Sequence, residues 1–150
     1  MMIRIDVQTD SFDPGQLTNA AHANNLATGA VVCFTGYVRE FNQGSNVQGL
    51  FLEHYSGMTE RALEQIATQA SERWPLQNVH ILHRTGQLSL GEPIVFVATT
   101  SAHREDAFNA CAFIMDYLKT RAPFWKKEQT ADGSHWVDGR ASDRQAADRW

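Results

Sequence analysis

Lys119, Arg121, Lys126 and Lys127 fall close together in the segment FIMDYLKTRAPFWKKE (Phe113 to Glu128), interleaved with Pro123, Phe124 and Trp125. Aromatic rings waste apolar area in water and ammonium groups resist burial, so a plain solvated face rarely mixes the two. A pocket for an anionic ligand suits both, because its rings exclude water and its cations then meet phosphate or carboxylate in a low dielectric. Lys119 closes a predicted helix on the same face as Met115, and Lys126 follows just beyond Pro123, so the two ammonium groups can converge. If they do, each disfavours the other's charge. One can then shed a proton near neutral pH and act as nucleophile or base while the other holds an anion. Spacing leaves the alternative equally open: lysines at a helix C-terminus are favoured by its dipole and can simply stand solvated.

Other cations could extend such a site. Arg39 follows a predicted strand, His103 and Arg104 open a predicted helix whose free N–H groups and dipole favour an anion, and Arg140 lies in the tail. Taken singly, each arginine is more often a surface residue. The pair His80 and His83 in VHILHR does not read as a metal site, since residues three apart in a strand point to opposite faces. No G-x-S-x-G motif is present, and neither cysteine has a histidine beside it in sequence, so a nucleophilic triad gains no support. GxGxxG and phosphate-loop patterns are absent as well.

The elements that must position these groups are legible from periodicity. Met2 to Gln8 alternates as a half-buried strand. Gln16 to Asn25 reads as a short helix, Ala30 to Val38 as a buried strand, Arg39 to Asn46 as an exposed loop, and Gln48 to Tyr55 as the next strand. From Thr59 to Trp74 the apolar residues recur at helical spacing until Pro75. Val79 to Arg84 and Ile94 to Thr100 are predicted to pair as a hairpin through the Gly86 to Pro93 turn region. Ser101 then caps a second long helix with Phe108, Cys111, Ala112, Met115 and Leu118 as its core stripe. A turn at Gly133 joins Phe124 to Gln129 with His135 to Val137, before a short amphipathic terminus. Strands in adjacent runs with two long helices between them predict an α+β fold with a mostly antiparallel sheet.

Composition sets the outer limits. A chain of 150 residues, 43% hydrophobic and 20% charged, suits a single globular domain over residues 1–150. The net charge of −4 argues against a general nucleic-acid binder, which gains affinity by releasing counterions from many phosphates. The N-terminus MMIRIDVQTD lacks the apolar run of a signal peptide and no stretch is long enough to span a membrane, so a cytoplasmic protein is expected. Cys33 and Cys111 lie in apolar sequence and read as packing rather than as a disulfide or a redox pair.

Five motifs carry a resemblance: FTGYVR (Phe34 to Arg39), LEHYSGMTE (Leu52 to Glu60), HRTG (His83 to Gly86), TSAHR (Thr100 to Arg104) and MDYLKTRAPFWKKE (Met115 to Glu128). Together they resemble the large, catalytic subunits of molybdopterin synthases. The resemblance implies a hammerhead-like fold and a sulfurtransferase of molybdenum cofactor biosynthesis. Such an enzyme moves two sulfurs from the C-terminal glycine thiocarboxylate of a small ubiquitin-like carrier onto cyclic pyranopterin monophosphate, forming the molybdopterin dithiolene. It implies Lys119 and Lys126 as the catalytic lysines, Arg39, His103, Arg104 and Arg140 around the phosphate and pterin, and Phe34, Met115 and Glu128 lining or ordering the pocket. Tyr37 and Val38 beside Arg39, and Lys127 beside Lys126, complete the implied substrate contacts. No cofactor and no metal are implied.

On one straight helix, His103 and Lys119 lie about 24 Å apart. One small pterin cannot touch both, so His103 and Arg104 are expected from a second protomer, which fits the homodimer within a heterotetramer that the resemblance implies. The alternative of a different class is a binding subunit that only docks the ubiquitin-like protein.

Overall fold

The computed structural model describes residues 1–42, 45–137 and 141–150. Along the chain run β1 (Met2–Gln8), α1 (Pro14–Ala20), β2 (Ala30–Tyr37), β3 (Phe41–Asn42), β4 (Ser45–His54) and α2 (Met58–Arg73). There follow β5 (Leu76–Arg84), β6 (Gly86–Ser89), β7 (Pro93–Ser101), α3 (Arg104–Arg121), β8 (Phe124–Thr130), β9 (Gly133–Val137) and α4 (Ala141–Asp148). The expected α+β class holds, with the strands divided between two sheets.

The first sheet has the order β1-β5-β7-β2, antiparallel except where β1 runs parallel to β5. The hairpin expected between β5 and β7 is present, with Ile81 opposite Val97. One face packs under α2 and α3. Leu63, Ile66 and Ala70 of α2 and Phe113 and Ile114 of α3 meet Val79, Ile81 and Val97 there, all of them buried. Each fully buried Leu, Ile or Phe in such a layer contributes about 1.5–3 kcal/mol. The other face is apolar too, with Leu82, Phe96 and Ala98 under Phe12 and Leu17. A sheet covered on both faces explains why β7 reads as a continuous apolar run from Ile94 to Ala98 rather than as an alternating one.

The second sheet is built on β4, which pairs with β3, β6 and β8, and β9 extends it from β8. The β8–β9 hairpin matches the turn expected at Gly133, whose φ is +118°. The two sheets are joined inside the first hairpin. Gly86, at φ +85°, turns the chain out of β5 so that β6 can pair with β4 before β7 returns. That backbone conformation penalises any residue with a Cβ.

Several expected boundaries move, and the loop expected over Arg39 to Asn46 instead holds β3 and the start of β4, which pair with each other. Helix α1 starts earlier than predicted, at Pro14, because the Asp13 carboxylate accepts the Gly15 N–H at 2.9 Å and caps it there. Ser101 is not the cap of α3. It ends β7 and its hydroxyl donates to the Pro75 carbonyl at 2.8 Å, so His103 takes the cap position. Pro123 ends α3 as expected. The tail is pinned by aromatic contact: Trp150 packs edge-on to Trp74 and Phe113, and its indole N–H donates to Asp116 at 2.6 Å. Among the described residues no helix is long and apolar enough to cross a membrane.

Candidate active site

Where the end of α3 meets the second sheet, a cavity of about 320 Å³ opens. Each wall follows from local periodicity. Strand β8 alternates, so Phe124, Lys126 and Glu128 face the cavity while Trp125 and Lys127 face away. Helix α3 delivers Leu118 and Lys119 in its last turn, and Ala122 continues the wall before Pro123. From β2 come Phe34 and Tyr37, then Val38 and Arg39 just past its end. Gly36 lies between them, and a Cβ there would stand 2.9 Å from the Val95 side chain. Val38 is buried with Leu50, Leu52 and Leu88, and its N–H donates to the Glu92 carbonyl at 3.0 Å. That anchor holds the exposed Tyr37 and Arg39 at the rim.

The two lysines do converge. Lys126 and Lys119 line the same cavity wall, and the amine of Lys126 is pushed down to about 8. Burial is the main cause, the Lys119 charge the next, and Asp143 and Glu128 pull weakly the other way. The solvated alternative therefore fails for Lys126. Glu128 is buried at 5% exposure, and His135 on β9 stands 4.0 Å from its carboxylate. Phe34 remains 40% exposed at the mouth.

Other expected contacts lie elsewhere. Lys127 points to the opposite face of β8, with its ammonium 5.5 Å from the centre of the Trp136 ring. Met115 packs against the main core and does not line the cavity. His103 and Arg104 are exposed at the far end of α3 and do not line it either. Arg140 lies outside the described residues.

Two polar lining residues escaped sequence reasoning. His83 of β5 is buried, stacks on Phe124 and lines the cavity. Weighing it only as a metal partner of His80 hid this. His80 does face the other way, bonded to Asp6 at 2.8 Å. The usable signal was a run of polar residues, His83, Arg84 and Thr85, in a strand with both faces covered. Asp143 of α4 also lines the cavity, and nothing local in the sequence marks it.

A family model described as MoaE protein matches residues 7–121. The molybdopterin synthase catalytic subunit of Pseudomonas aeruginosa is 64% identical over 146 residues, covering 97% of each chain. That of Vibrio cholerae is 56% identical over 147 residues, covering 98% of this chain and 97% of its own. Among solved structures, a molybdopterin biosynthesis MoaE protein from Burkholderia ambifaria matches with a TM-score of 0.85 at 52% identity, covering 99% of this chain and 98% of its own.

Proposed function

From the premise that the chain belongs to the MoaE protein family, we propose that it works as a molybdopterin synthase catalytic subunit. In this reading, residues 1–150 form one catalytic domain in the cytoplasm. It takes sulfur from the C-terminal thiocarboxylate of a small ubiquitin-like carrier and places two sulfurs on cyclic pyranopterin monophosphate, and each transfer leaves the carrier with an ordinary carboxylate.

The observation that carries this reading is the lysine pair at the cavity wall, with Lys126 held near neutral pH by burial and by Lys119. A pair of this kind suits acyl chemistry on an anionic tail. The free amine supplies a nucleophile or base, and the remaining ammonium holds negative charge where water is scarce. Arg39 at the rim offers a planar fork for phosphate. Tyr37, Val38 and Phe34 shape the same wall, and Glu128 balances charge at its back. His103 and Arg104, remote from this cavity in their own chain, act in the cavity of a second copy. With two carriers, that homodimer makes a heterotetramer, and Arg140 is assigned with the other cations to the substrate phosphate and pterin.

The direct test is conversion of cyclic pyranopterin monophosphate to molybdopterin by the purified chain, with and without a thiocarboxylated carrier. Product that depends on the carrier is the expected result. Tight carrier binding without product would leave only a docking subunit.

A further inference from the structure

His83 lines the cavity with both lysines but has no part in the reading above. Its ring is 4% exposed and stacks on Phe124, with centroids 3.7 Å apart and planes 18° from parallel. Nδ1 lies 2.8 Å from the Arg84 carbonyl oxygen. That oxygen can only accept, so Nδ1 carries the hydrogen of the neutral ring and Nε2 is left as a lone pair. The carbonyl itself is held firmly. The Arg84 guanidinium donates to Thr9 O at 3.0 and 3.2 Å, to Glu92 at 3.0 Å and to Pro93 O at 3.1 Å.

A third cation in this place would be costly. Burial first, then the charges of Lys126, Lys119 and His54, push the His83 imidazole down to about 3, so it stays neutral at any working pH. The groups facing Lys126 are then Lys119 from α3, Glu128 from its own strand, Asp143 from α4 and His83 from β5, with Arg39 at the rim. A carboxylate that oriented Lys126 would also fix it as ammonium. A neutral imidazole nitrogen can orient the same side chain with far less bias toward the charged form.

We propose that His83 is a positioning residue for the lysine pair: its fixed tautomer leaves Nε2 as an uncharged acceptor in the cavity wall, which shares no hydrogen bond with Lys126 in this structure but takes an N–H of Lys126 during turnover and turns it toward Lys119. The kinetic consequence rests on the sulfur-transfer reading, whereas the geometry does not. The test compares His83→Phe, which keeps the stack and removes the acceptor, with His83→Gln, which keeps an acceptor and loses the stack.

His83→Phe is expected to lower kcat about tenfold or more, with a smaller change in KM. It should also lower the pH of half-maximal Lys126 acylation by acetic anhydride, read by mass spectrometry, by about one unit. His83→Gln should recover part of both. His83→Phe matching the native protein in kcat and labelling, or outperforming His83→Gln, would overturn the proposal. If even the native protein yields no molybdopterin, the sulfur-transfer reading fails and the labelling midpoints alone decide the role of His83. If His83→Phe does not fold, nitrogen NMR of the native imidazole decides. A hydrogen on Nδ1, with an Nε2 signal that moves in Lys126→Met, supports the role; a hydrogen on Nε2 ends it.

Discussion

At its C-terminal end, helix α3 brings Lys119 against Lys126 in a cavity walled by His83, Phe124 and Glu128. At its N-terminal end, about 24 Å away along the axis, His103 and Arg104 stand exposed and line no part of that cavity. Both ends carry basic side chains that suit anions, yet only one has been given walls. Burial separates them. A cation in water keeps its ordinary chemistry, whereas one held beside another cation and away from water is forced toward the free base. The C-terminal end is thus assembled when one chain folds, whereas the N-terminal end, on the function proposed above, becomes a site only against a second copy.

The sharpest way to break that contrast is at Lys126. Lys126→Ala should lower kcat/KM for dithiolene formation by a factor of about 100 or more and leave much of the carrier affinity. Its neighbour Lys127, which faces Trp136 across the sheet, is the control: Lys127→Ala should stay within about threefold of native. Steady-state turnover and a carrier-binding titration read both. Equal losses at the two positions would mean that the walls around Lys126 confer nothing.

A smaller effect is expected from the exposed end, and its pattern matters more than its size. Arg104→Ala should cost about tenfold. Mixing it with Lys119→Ala chains under conditions that allow subunit exchange should restore up to about a quarter of native activity, because each mixed dimer then holds one intact site. No recovery from the mixture would place Arg104 in its own chain's chemistry and erase the distinction between the two ends.

The same contrast marks what could be read from the sequence. Periodicity showed α2 and the presence of α3, but it misplaced the core stripe of α3: Phe108 is exposed, and Ala110, Phe113, Ile114 and Tyr117 are buried with Cys111 and Leu118 instead. β-branched runs showed β5 and β7, and the turn at Gly133 showed the β8–β9 hairpin. The clustering of Lys119 and Lys126 around Pro123 pointed at the cavity because a helix end and the strand after it are close in space by necessity. His83 was missed because it reaches the site through strand pairing, which a one-dimensional pattern does not encode, and Asp143 because α4 returns from the tail. Ser101 misled for a related reason. A serine before a helix looks like a cap, but here it belongs to the end of a central strand and its hydroxyl is used across the sheet by Pro75.

The smallest expected effect concerns the middle of the helix, between its two ends. Cys111 sits there, facing the core, and burial pushes its thiol up to about 12, with Cys33 adding to the shift. A thiol held protonated is a poor nucleophile and a poor sulfur carrier. Cys33 lies on β2, where its sulfur is 3.5 Å from the Thr18 hydroxyl beneath α1. Replacing both with alanine should therefore leave dithiolene formation within about twofold of native, while the small voids cost about 1 kcal/mol, or roughly 2–4 °C in Tm. Thermal melts and the carrier-dependent assay on the same preparation separate the two consequences. A double variant that keeps its fold and carrier binding yet makes no product would route sulfur through a thiol in the core, and the functional contrast would then lie between the middle of α3 and its ends.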